Sequence, residues 1–266
     1  MSHKPTARRR RTAGRAFPPE SPGRLRFRLE PSGPELVSRP QIAIVAGYTG
    51  RDRDAVLGHI RELEELGIAP PPDVPIFYSV APELITQEDA IVTTETATSG
   101  EAEVGLVVDG GQVYVTVASD HTDRAVERID IAVSKRLCPK VIATAAWRLD
   151  DVAAHWDSLR LRSWIGDEGD DLYQDGLLSS LVAPLELLEA IPWRSRPQSF
   201  LLLGGTVPTI GGMRQSPRFR AELHDPVTDR KLRLDYRIQV LDFIRPDSAS
   251  EGRIRRLDHV EQPLRP

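Results

Sequence analysis

Three acidic residues stand at positions from which they could work together. Glu101 and Glu103 flank Ala102 at the head of one apolar run, and Asp120 closes a second. Successive strand residues point to opposite faces, so Glu101, Glu103, Gly105 and Val107 share one face and Ala102, Val104, Leu106 and Val108 the other. Between the runs lies Asp109-Gly110-Gly111, a strong signal for a tight turn. With Gly110-Gly111 as a two-residue turn, Val108 meets Val113, Leu106 meets Val115 and Val104 meets Val117. A one-residue slip would break every one of these apolar pairs. The same register carries Glu101 opposite Asp120, with Glu103 one pleat along.

Carboxylates opposed in this way repel by about 1 kcal/mol in water, and several-fold more where water is excluded. The cluster persists if a cation neutralises it or if a carboxyl keeps its proton. Hard divalent ions take oxygen ligands, which suits Mg²⁺ and, as alternatives, Mn²⁺ or Ca²⁺. The sequence has no competing Cys/His cluster for zinc. Spacing alone leaves a second reading open, in which the acids simply line a solvated strand face.

The elements that must hold these residues read as mostly β. Gln41–Ala46 is a short apolar strand. Residues 53–67 form a helix, with Val56, Ile60, Leu63 and Leu66 at helical spacing and Gly67 to end it. Strands follow at Ile76–Val80, Ala90–Thr94, Val104–Val108, Val113–Val117 and Val141–Ala145. Helices are predicted near 150–156 and 179–190, and late strands at Phe200–Leu203, Arg218–Leu223 and Leu232–Leu241. The last two are joined by the turn formers Asp225-Pro226 and Asp229. There is no regular strand–helix alternation, which excludes a doubly wound sheet.

Read in order, these segments resemble the fumarylacetoacetate hydrolase superfamily over roughly residues 41–240. PIFYSVAPELITQEDAIV resembles the strand and loop before the metal segment, and Glu101-Ala102-Glu103 resembles that segment itself. Asp120 with Arg124 four residues on, Lys135 ahead of Cys138-Pro139, the Gln174-Asp175-Gly176 segment and the loop LLLGGTVPTIGG resemble the motifs that follow. The chain departs from the pattern in three places. A bare hairpin replaces the helix between the second Glu and the Asp, Ser79 stands where a lysine is usual, and Leu177-Leu178 follow the Gln-Asp-Gly. These departures point to a divergent bacterial branch.

The resemblance implies an α+β, mostly β fold, a mixed β-sandwich or roll with a few helices. It implies a divalent ion held by Glu101, Glu103 and Asp120, with Arg124, Gly205 and Thr206 binding substrate. Lys135 would serve a substrate carboxylate or an oxyanion, with Lys140 as its rival. A His with a Glu three residues on serves as base in many relatives, and His59 and Glu62 have that spacing on one flank of a helix. His121 is a second candidate base, although alternation turns it to the face away from Asp120. The implied activity is hydrolysis of a C–C bond in an acylpyruvate or diketo acid, on a small 2-oxo acid substrate. Decarboxylation, tautomerisation or dehydration at the same metal, or non-catalytic binding of a small acid, are the alternatives. The family's habit implies a homodimer.

Composition bounds the rest. A 40% apolar fraction in 266 residues supports a real core, and a formal net charge of −4 gives no bias toward nucleic acid or anionic membranes. The single Cys138 cannot form an internal disulfide, which suits a reducing cytoplasm. No apolar run approaches the roughly 20 residues of a membrane span. Residues 1–24, with the run Arg8–Arg11, read as a disordered basic arm, 25–246 as one catalytic domain, and 247–266 as a loose tail.

Overall fold

The computed structural model describes residues 23–65 and 70–241. The basic arm, the end of the first helix at Leu66 and Gly67, and the C-terminal tail therefore lie outside the described residues, apart from Gly23 and Arg24. Among the described residues no helix is long and apolar enough to cross a membrane.

The hairpin adopts the register that the valines and glycines demand. Val108 pairs with Val113, Leu106 with Val115 and Val104 with Val117. Gly110 and Gly111 take φ of 56° and 84°, the left-handed values a two-residue hairpin turn requires. Its strands, Ala102–Asp109 and Gln112–Asp120, sit in the middle of the larger sheet. On one side that sheet continues through Ser199–Thr206 and Ala43–Gly47 to Ile76–Val80. On the other it continues through Ala145–Arg148 and Leu25–Leu29 to Glu35–Ser38, with Lys140–Ile142 also paired to the hairpin.

The two faces of this sheet bury different partners. Ala102, Val104, Leu106, Val115 and Val117 pack with Tyr173, Phe219 and Tyr236 of a second sheet. That sheet runs Asp171–Leu177, Arg160–Ile165, Arg218–Asp225, Arg230–Val240, Ala90–Thr93. The opposite face gathers Phe27, Val45, Val80, Val107, Leu201 and Leu203, all from strands of the larger sheet itself, so that sheet curls around them. Each such side chain contributes about 1.5–3 kcal/mol by leaving water. The result is the expected α+β, mostly β sandwich and roll.

Several boundaries differ from the sequence reading. Val141–Ala145 is not one strand: it divides into Lys140–Ile142 and Ala145–Arg148, which pair with successive parts of the same neighbour. The helix near 150–156 is a pair of 3₁₀ segments, Leu149–Asp151 and Ala153–Ser158. The helix near 179–190 starts only at Pro184, where proline suits a first turn. Leu25–Leu29, Glu35–Ser38, Arg160–Ile165 and Asp171–Leu177 are strands that the sequence reading does not contain.

Candidate functional site

Glu101, Glu103 and Asp120 all line a cavity of about 720 Å³. Hairpin alternation puts Glu103 and Asp120 on the inner face, and the Asp120 N–H donates to the Glu101 carbonyl at 3.0 Å. The turn after the hairpin is built by local capping. The Asp123 carboxylate accepts from Ala125 N and Val126 N, starting the helical turn Arg124–Glu127. Asp130 accepts from Val133 N and starts Ile131–Ser134, whose end delivers Lys135. Thr122 pairs with Ser99, which brings Arg124 back to the head of the hairpin, where its Nε donates to Ser99 Oγ at 2.7 Å.

The three carboxylates have different partners. Glu101 Oε2 lies 3.1 Å from Arg124, whose guanidinium also meets Glu127 at 2.6 Å. Glu103 Oε2 accepts from Gly205 N–H at 2.8 Å. Asp120 stands between two ammonium groups, Lys135 at 2.7 Å and Lys140 at 2.8 Å. Both distances are those of charge-assisted pairs between an ammonium and a carboxylate. Lys135 also reaches Glu127 at 3.0 Å. Lys140 is fully buried, sits directly across from Asp120 in the sheet and donates to the His121 carbonyl at 2.6 Å.

Burial alone would raise the Asp120 pKa, but Lys135 and Lys140 outweigh it and hold the carboxyl well below the usual range. The same carboxylates hold Lys135 charged despite its burial. Glu103 has the opposite fate. Burial, reinforced by Asp120, pushes its pKa well up, and Gly205 N–H offsets only part of this. Among the described residues no cation forms an ion pair with Glu103.

That donor set fits a hard divalent ion in kind: three carboxylates line one cavity, and Glu103 among them is buried without a cationic partner among the described residues. It is not a closed coordination group. Among the described residues no three His, Cys, Asp or Glu side chains converge as a ready metal cage. The hairpin register is as expected. Arg124 engages Glu101 while the two lysines engage Asp120.

The other expected residues fall into two groups. Gly205 and Thr206 line the cavity, but both are engaged in holding the site together. Gly205 has φ of 110°, and a Cβ there would collide with the Thr49 side chain, so only glycine presents its N–H to Glu103. Thr206 Oγ1 donates to the Ala102 carbonyl and accepts from Gln174 Nε2, both at 2.7 Å. Gln174 is the missed organiser. Fully buried, it accepts from Ala102 N–H and joins the acidic strand to the Thr206 loop. Its place in the Gln-Asp-Gly segment was the available signal.

Arg124 does not line the cavity; its guanidinium is turned to Glu101, Glu127 and Ser99. His59 does line it, with Nδ1 3.5 Å from Glu62, yet their side chains are 62% and 76% exposed. His121 faces away, as alternation requires. Its Nδ1 lies 2.9 Å from Tyr236 OH, and burial with help from Lys140 and Arg124 pushes its pKa down to about 3. A neutral, enclosed imidazole is unavailable to the cavity as a base.

Comparison with known proteins accords with this fold. No curated protein matches the chain. Among solved structures, a fumarylpyruvate hydrolase from Pseudomonas aeruginosa in complex with Mn²⁺ and pyruvate is similar. It has 14% identity, a TM-score of 0.56, and coverage of 86% of this chain and 100% of that one. A 2-keto-3-deoxy-D-arabinonate dehydratase complexed with magnesium and 2,5-dioxopentanoate has 15% identity and a TM-score of 0.54, covering 78% and 76%. A 4-oxalocrotonate decarboxylase from Pseudomonas putida G7, complexed with calcium and acetate, has 14% identity and a TM-score of 0.50, covering 74% and 76%. At such identities the likeness is one of fold, and the fold is that of the fumarylacetoacetate hydrolase superfamily. A family profile matches residues 46–236, and the chain thus belongs to the family described as "Protein of unknown function (DUF2848)".

Proposed function

We propose that this chain is a divalent-metal-dependent hydrolase that cleaves a C–C bond in an acylpyruvate or a related diketo acid. The observation that carries the reading is Glu103, a buried carboxyl in the field of Asp120 and Glu101 on the wall of a cavity large enough for a small acid. Glu101, Glu103 and Asp120 would hold Mg²⁺, Mn²⁺ or Ca²⁺. Such an ion supplies Lewis-acid polarisation of a carbonyl oxygen when bound. The similar solved structures, which carry Mn²⁺ with pyruvate or magnesium with a dioxo acid, support a 2-oxo acid as the ligand.

The chain's own groups have separable tasks. Lys135, charged and facing the cavity, pairs with the substrate carboxylate or a developing oxyanion. Gly205 and Thr206 position the acidic strand, and Arg124 orients Glu101. The His59 imidazole, oriented through Nδ1 by Glu62, takes a proton from water at Nε2.

One observation favours a second reading. The dyad stands at the exposed rim, so a decarboxylation, dehydration or tautomerisation that needs no activated water would proceed without it. A panel of acylpyruvates, other 2-oxo acids and oxaloacetate, incubated with Mg²⁺ or Mn²⁺ and followed by mass spectrometry, separates the two. Release of pyruvate with a second carboxylic acid is the expected result. Loss of CO₂ or water, or isomerisation alone, supports the second reading; an unchanged panel contradicts both.

A further inference from the structure

The wall of this cavity changes character along the sheet. Asp120, Glu103, Gly205, Val45 and Tyr78 occupy five successive strands, in that order, and each lines the cavity. Neighbouring strands are about 4.8 Å apart, so the step from Glu103 to Tyr78 spans roughly 14 Å along the curved surface. Over that distance the strand residues of the lining pass from carboxylates to Val45, Ala46 and Tyr78, and Val56, Ile131 and Met213 line the same cavity.

Its charges are as informative. Among the described residues the lysine and arginine side chains on the cavity are Lys135 and Arg128. Lys135 is engaged by Asp120 and Glu127, and Arg128 is exposed. Against these two stand Asp52, Glu101, Glu103, Asp120 and Glu127. A second carboxylate at the far end of a substrate would leave water for a wall of apolar side chains, which is costly without a partner. An alkyl or aryl arm there gains from burial.

We infer that the substrate class is a mono-carboxylic 2-oxo acid carrying an apolar arm of several carbons, and not a dicarboxylate. The inference rests on the proposed reading of the acidic end as the site for the 2-oxo acid group. The apolar wall, with Val56, Tyr78, Ile131 and Met213, then sets specificity without taking part in the bond cleavage.

Three acids that lack the bond to be hydrolysed test this by isothermal titration into the full chain with saturating Mn²⁺. They are pyruvate, 2-oxooctanoate and 2-oxooctanedioate. A methylene in an apolar pocket changes affinity by roughly tenfold or more, so 2-oxooctanoate should bind at least about tenfold more tightly than either of the others. Equal binding of pyruvate and 2-oxooctanoate, or tighter binding of the diacid, overturns the inference while leaving the 2-oxo acid reading intact. No binding of any of the three overturns that reading and the inference with it. Val56→Lys, which places an ammonium on a half-buried helix position, should shift preference about tenfold toward the diacid. Its Mn²⁺ binding should stay unchanged. A variant that keeps the wild-type preference assigns the selectivity elsewhere and overturns the role given to this wall.

Discussion

The hairpin end that carries Asp120 and the helix that carries His59 border the same cavity, yet they are held in opposite ways. Asp120 and Lys140 are wholly excluded from solvent, joined across adjacent strands, and each has further partners. His59 and Glu62 sit one turn apart on Arg53–Glu65 with most of their surface in water. Their contact is a single surface pair, of a kind worth about 0–1 kcal/mol. The acidic end is therefore over-determined by the fold, while the dyad is placed only by its helix. Groups of the first kind set where a ligand sits. Groups of the second kind can change position as one binds, at little cost to stability.

Substitution should expose this difference most sharply at Lys140. Lys140→Met leaves Asp120 with Lys135 alone and removes a buried charge from its pair, a change that costs about 3–5 kcal/mol. Urea unfolding should show that loss, whereas His59→Ala should stay within about 0.5 kcal/mol of wild type. Comparable effects at the two sites would break the comparison. Gly205→Ala comes next. Its φ of 110° and the crowding by Thr49 should cost more than about 1 kcal/mol and loosen Glu103.

Glu103→Gln should act in the opposite direction, stabilising the protein at pH 8 with chelator present. The sign follows from its raised pKa. Below an unfolded carboxyl's value of about 4.3, both folded and unfolded chains hold the proton, and the charge costs nothing. As pH rises above that value the unfolded chain loses the proton that folded Glu103 retains, and stability falls until the folded group ionises. The glutamine variant escapes that fall, so its advantage should vanish near pH 4 and grow toward pH 8. Asp120 has the opposite sign: its depressed pKa contributes stability that is lost as pH drops below the ordinary aspartate range. The smallest structural effect belongs to His59→Ala, which should nevertheless lower hydrolysis by about 10²–10⁴-fold and spare keto–enol exchange.

How far the site could be read in advance depends on the range of the interactions involved. The hairpin register was legible because a Gly-Gly turn and two runs of alternating valines are local features. The placement of Glu101, Glu103 and Asp120 on one wall followed from that register alone. What could not be read were the long-range partners. In the sequence Lys140 stands only as a rival to Lys135, and the strand pairing is what shows it sealed against Asp120. Gln174 acts through contacts to Ala102 and Thr206, distant in sequence. Arg160–Ile165 alternates cleanly, with Leu161, Ser163 and Ile165 buried, but its arginines and the nearby turn residues hid a strand.

Under the proposed function, Glu101, Glu103 and Asp120 together take up one divalent ion. Isothermal titration of Mn²⁺ into wild type and Glu103→Gln addresses it most directly. Wild type should bind Mn²⁺ saturably at one site per chain, with affinity lowered at least about tenfold in the variant. Absence of binding to wild type, or equal affinity in a folded Glu103→Gln protein, would contradict it.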